Sequence, residues 1–89
     1  MSWKVEFLPQ AERNVQDLDR PVARRIARFL FHRVAKLENP RSIGESLHGP
    51  ELGELWKYRV GAYRVICKIE DVRLVVLVVR VGHRREIYR

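Results

Sequence analysis

The 89-residue sequence predicts an α+β fold in the order β-α-α-β-β-β: a helical hairpin packed on one face of a small, mainly antiparallel sheet of about four strands. Three observations carry this expectation. Apolar side chains alternate with period two near both ends of the chain, they recur every three or four residues in between, and a Gly-, Pro- and Ser-rich stretch separates the helical from the second extended region. A chain of this length buries only roughly 60–65% of its unfolded surface on folding, enough for one core. We therefore expect a single domain over residues 1–89, without a second domain or a deep cofactor cleft.

Each element has its own signal. Trp3, Val5 and Phe7 alternate with Lys4 and Glu6, which predicts a first strand within Ser2 to Leu8. Pro9 suits the first turn of a helix, and Ala11, Val15 and Leu18 then follow at spacings of four and three. Asp19 reads as the N-cap of a second helix with Pro21 just inside it; Val22, Ile26, Phe29, Leu30, Val34 and Leu37 line one face, and Asn39-Pro40 ends it. Arg24, Arg25, Arg28, Arg33 and Lys36 cover the other side as a solvated face. Residues 40–53 show no sustained period and read as a connecting loop. Three hairpin-linked strands follow, to Val60, from Tyr63 to Ile69 and from Leu74 to Val81, with turns at Gly61-Ala62 and Glu70-Asp71.

Composition excludes several classes. The lone Cys67 cannot close an intramolecular disulfide, so a secreted disulfide scaffold is excluded. The longest apolar run, Leu74 to Val79, is far short of the roughly 18–20 residues of a spanning helix, and the opening MSWKVEFLPQ lacks the apolar core of a signal peptide. We expect a cytoplasmic protein without membrane contact. The formal charge is +7, and it is unevenly spread. Residues 54–89 hold nine basic side chains, seven of them arginine, against Glu54, Glu70, Asp71 and Glu86, a net of +5. Arginine binds phosphate through a planar fork and stays charged when partly desolvated, so this bias fits a polyanionic partner.

Alternation sharpens the bias into a surface. Along Leu55 to Val60 it puts Lys57 and Arg59 on one side and Trp56, Tyr58 and Val60 on the other. In the next strand Arg64, Ile66 and Lys68 share a side opposite Val65, Cys67 and Ile69. With the apolar sets facing the helices, the cations converge on the open face. Gly82 then releases the tail His83-Arg84-Arg85-Glu86-Ile87-Tyr88-Arg89 beside it. Like charges crowded together are unfavourable, so an anion belongs among them. The sequence shows no metal-ligand spacing among His32, His48, His83 and Cys67, no phosphate-binding glycine loop before a helix and no carboxylate pair with a nucleophile, and no cofactor is expected. What remains is metal-free phosphodiester chemistry, in which an RNA 2′-hydroxyl attacks the adjacent phosphate while cations stabilise the pentacoordinate charge.

Three blocks carry a family resemblance: Leu47-His48-Gly49, Leu55 through Ile66, and Val79 through Tyr88. Together they resemble the RelE branch of the RelE/ParE toxin superfamily, and the order of elements agrees over the whole chain. The resemblance implies a toxin of a type II toxin–antitoxin pair, an endoribonuclease that cleaves mRNA in the ribosomal A site and is wrapped by a RelB-like antitoxin. Carried over residue by residue, it makes Arg64 the phosphate-stabilising arginine, Lys57 the strand lysine, and Arg84 and Tyr88 the arginine and tyrosine of the C-terminal block. Arg59, Lys68 and Arg85 are expected to bind RNA. Ala62 replaces the Gly or Asp common in the family, His83 stands where other members have Lys, and Leu55 occupies the place of a second strand lysine. Proton transfer is open between Lys57, Tyr88 and His83, the last being the side-chain type that ordinarily titrates near neutrality. Two alternatives stand beside this reading: a ParE-like inhibitor of DNA gyrase without nuclease activity, and a non-catalytic nucleic-acid-binding module.

Overall fold

The computed structural model describes residues 2–47 and 54–87. It contains β1 (Lys4–Phe7), α1 (Pro9–Gln16), α2 (Arg20–His32), β2 (Glu45–Ser46), β3 (Leu55–Val60), β4 (Tyr63–Glu70) and β5 (Val75–His83), with 3-10 turns at Val34–Lys36 and Pro40–Ser42. The described strands form one sheet in the order β1-β5-β4-β3-β2. β1 runs parallel to β5 and the other neighbours are antiparallel. The sheet thus exceeds the expected four strands by the two-residue β2, which adds Glu45 and Ser46 beside Lys57 and Trp56.

Both helices pack on one face. Pro9 opens α1, and Asp19 occupies the N-cap position of α2, where its carbonyl accepts from the Ala23 N–H while its side chain makes no capping bond. Ala11, Ile26 and Leu30 are buried against Tyr58, Val60, Val65, Cys67, Val76, Val78 and Val81 from three strands. Each fully buried aliphatic side chain of this stripe contributes roughly 1.5–3 kcal/mol. The apolar periodicity extends α2 to Leu37, but the helix ends at His32. Arg33 caps it, its N–H still donating to the Phe29 carbonyl, and Val34 stays in the core as part of a 3-10 turn. That change of winding lets the Trp3 N–H donate to the Ala35 carbonyl and the Trp3 indole donate to the Glu38 carbonyl, fastening β1.

The stretch expected to be a plain loop is partly structured. Gly44, at φ +85°, lies against the Trp56 indole, which donates to the Ile43 carbonyl at 2.8 Å. The buried Tyr58 hydroxyl donates to the Pro40 carbonyl at 2.6 Å. These bonds hold the connection along β3 and bring β2 into register.

Candidate functional site

Register assigns the helix-free face row by row. Lys57, Ile66 and Arg80 lie side by side on β3, β4 and β5; one row on, Arg59, Arg64 and Gly82 do the same; in the opposite direction Leu55, Lys68 and Leu77 form the next row. Lys57, Arg59, Arg64 and Lys68 therefore share the face that strand alternation predicts. Arg80 joins them, although alternation from Val76 and Val78 puts it on the helix side. The ladder skips Val79, pairing Cys67 with Val78 and Ile66 with Arg80, and this bulge turns Arg80 over. A bulge has no signature in the periodicity of a uniformly apolar run.

The face is electrostatically divided. At the end near β1, Arg73 bridges Glu70 and Glu6 across β5. At the other end Lys57 meets the exposed Glu45 at 3.7 Å, a pair that water screens strongly. Among the described residues Arg59, Arg64, Arg80 and Arg84 have no carboxylate partner.

Arg64 is the unusual member, at 7% exposed. Its Nη1 donates to the Gly61 carbonyl at 3.0 Å and to the Tyr63 carbonyl at 2.9 Å, one in its hairpin turn and one at the start of its own strand. Those neutral acceptors fix the guanidinium without cancelling its charge. A buried, oriented cation lacking a counter-ion is costly unless an anion completes it.

The tail folds back. The Arg84 N–H donates to the Ala62 carbonyl at 2.8 Å, and the N–H groups of Glu86 and Ile87 return to the His83 carbonyl, closing a helical turn. Ile87, at 5% exposed, packs over Gly82 beside Arg64, while Arg84 and Arg85 are exposed at the rim. His83 is not brought into the cationic cluster. It pairs with Tyr63 on the helix side, ring edge to ring face at 5.5 Å, and lines a cavity of about 380 Å³ with Asn14, Asp17 and Leu18 from the region of α1. Its Nδ1 accepts from the Arg85 N–H at 3.1 Å. Tyr88 and the His48-Gly49 pair lie outside the described residues.

Other reactive groups belong to the core. Burial pushes the Tyr58 phenol and the Cys67 thiol well above their ordinary ranges, and both point towards the helices, away from the cations. Trp56 and Tyr63 pack on that same core. Among the described residues no group of three or more His, Cys, Asp and Glu side chains is placed to hold a metal ion, and no helix is long and apolar enough to cross a membrane.

Known proteins share this fold. The family described as the ParE toxin of type II toxin–antitoxin systems matches residues 5–88. Toxin RelG of Mycobacterium tuberculosis is 30% identical over 89 residues, which span 100% of this chain and 99% of RelG. The toxin–antitoxin complex RelBE2 of the same organism contains a chain that superposes with a TM-score of 0.86 at 27% identity, over 97% of this chain and 95% of that one. A mutant Escherichia coli toxin RelE bound to an antitoxin RelBc peptide superposes with a TM-score of 0.72 at 26% identity, over 99% and 92% of the two chains.

Proposed function

From the premise that this chain belongs to the RelE/ParE family of type II toxin–antitoxin toxins, we propose that it is a RelE-like endoribonuclease that cleaves mRNA in the ribosomal A site and so halts translation in the cytoplasm. The observation that carries the reading is Arg64: a buried guanidinium, fixed by two carbonyls, with no carboxylate partner among the described residues. An RNA phosphate supplies the missing anion.

In the proposed reaction the 2′-hydroxyl oxygen attacks the adjacent phosphorus as its proton departs. The P–O5′ bond breaks, leaving a 2′,3′-cyclic phosphate and a 5′-hydroxyl that takes up a proton. Arg64 and Arg84 hold the non-bridging oxygens and stabilise the added charge, an effect that mutagenesis of comparable donors puts at about 3–4 kcal/mol. Lys57, two strands from Arg80 and diagonal to Arg64, is the described residue suited to move a proton on this face. Tyr88 is the second candidate. His83, on the other side of the sheet, acts by shaping the tail. We assign the chemistry to cations alone because a face of guanidinium and ammonium groups repels a metal ion as strongly as it attracts phosphate. With so few acid-base groups, the ribosome supplies the positioning of the mRNA. The antitoxin partner is read as RelB-like, from relatives described as RelB–RelE complexes.

The test is primer-extension mapping of mRNA on translating ribosomes incubated with the purified protein. A-site cleavage that Arg64→Ala abolishes is the expected result. Intact mRNA with inhibited gyrase supercoiling would replace this reading by the ParE-like one, and no effect on either would leave nucleic-acid binding alone.

A further inference from the structure

Arg80 is placed with unusual care for a surface arginine. The bulge at Val79 that turns it over is pinned on both sides: the Leu8 N–H donates to the Val78 carbonyl at 2.9 Å, and Asn14 Oδ1 accepts from the Val81 N–H at 3.1 Å. β1 stops at Phe7, so the Asn14 side chain substitutes for the next ladder bond. Bulges are found where a side chain must be re-aimed, often beside functional sites.

What the bulge delivers is a half-buried guanidinium with no hydrogen bond or ion pair among the described residues. Arg41, by contrast, holds the Asp71 carboxylate and Arg73 those of Glu6 and Glu70. Arg80 flanks Ile66 in the row that also contains Lys57, and Arg64 stands one row on. Adding a cation to a cationic face destabilises the free protein. The same placement favours binding of a strand that carries several negative charges.

We propose that Arg80 is a further phosphate-contacting residue, holding the RNA backbone phosphate next to the one bound by Arg64. Two residues along a strand and one strand across separate their backbones by roughly 8 Å, so the two long side chains can place their forks on neighbouring phosphates. The inference rests on the RNA reading above, and its test is chosen to fail separately.

A short single-stranded oligoribonucleotide is titrated into wild type, Arg80→Gln and Arg80→Lys by fluorescence anisotropy across a salt series, with thermal unfolding run alongside. Arg80→Gln is expected to weaken binding roughly tenfold at low salt and to lower the slope of log K against log salt by about 0.7, the value for one lost phosphate contact on a single strand. Arg80→Lys keeps the slope while losing part of the affinity, because the charge remains and the fork does not. On ribosomes Arg80→Gln raises KM and leaves kcat nearly unchanged. Affinity and slope equal to wild type in a folded Arg80→Gln protein would overturn the assignment while leaving A-site cleavage standing. Should Arg80→Gln fail to fold, a folded Arg80→Lys with wild-type affinity would overturn it equally. Loss of binding in Arg80→Gln from a protein that never cleaves mRNA would keep the phosphate contact and discard the nuclease.

Discussion

Ile87 closes over Gly82: a Cβ built on Gly82 would stand 3.2 Å from Ile87 Cδ1, and Ile87 is 5% exposed on a face the helices do not cover. This contact seats the C-terminal turn beside Arg64, Gly82's partner across the β4–β5 ladder. Truncating a buried Ile to Ala costs about 2–5 kcal/mol, and a site at the sheet edge falls at the low end. Ile87→Ala is therefore expected to lower urea-unfolding stability by about 2 kcal/mol and to reduce cleavage along with it, since Arg84 precedes the turn that Ile87 anchors. Unchanged stability would show that the tail is not seated by this side chain.

His83 Nδ1 closes a turn by accepting from the N–H two residues on, a geometry that Asn reproduces with its side-chain oxygen. His83→Asn is expected to retain folding and most of the cleavage activity. His83→Ala is expected to lose about 1 kcal/mol, the net worth of one hydrogen bond. A stably folded His83→Asn protein with no cleavage would instead make the imidazole itself the proton carrier, despite its place on the helix side.

These two residues mark the boundary of what the sequence reveals. The alternation around Tyr58 and Val65 exposes the core, and with it the shared face of Lys57, Arg59 and Arg64, because burial imposes period two on any strand with one covered side. Four features escape that logic. β2 is two residues long and exists because Gly44 lets Trp56 reach the Ile43 carbonyl, a tertiary bond without periodicity. The parallel pairing of β1 with β5 joins residues about seventy positions apart. Arg80 changes face through one skipped residue in an apolar run where neither face is polar enough to announce the slip. The tail likewise reads as released by Gly82, whereas Ile87 and the Ala62 carbonyl draw it back.

Arg41 staples the 3-10 turn at Pro40–Ser42 to the β4–β5 turn through paired bonds to Asp71, at 2.8 and 3.0 Å. The guanidinium holds the Asp71 carboxyl below its ordinary value, through hydrogen bonding first and charge second. A depressed carboxyl contributes stability that is complete above its unfolded value, near ~3.9, and is lost as pH falls through the lower folded value. Asp71→Asn is therefore expected to be less stable than wild type at pH 7, with the gap narrowing below about pH 4 and shrinking in high salt. Urea midpoints at pH 7 and pH 3 check this. An equal gap at both would mean that charge is not what the pair contributes.

Gly44 tests how the connection supports the site. At φ +85° an added Cβ would stand 2.5 Å from Trp56 Nε1 and 2.6 Å from the Lys57 carbonyl oxygen, so backbone must move as well as side chain. The left-handed conformation costs an L-residue roughly 1–2 kcal/mol, and overpacking adds about 1–3 kcal/mol. Gly44→Ala is expected to lose about 3 kcal/mol, which in a domain of this size lowers the Tm by roughly 12–24 °C. The displaced indole would lose its bond to Ile43, and with it the β2 register that brings Glu45 to Lys57. Cleavage should then fall further than thermal stability at the assay temperature explains. A Gly44→Ala protein with wild-type Tm and Trp fluorescence would show that β2 does not depend on this glycine.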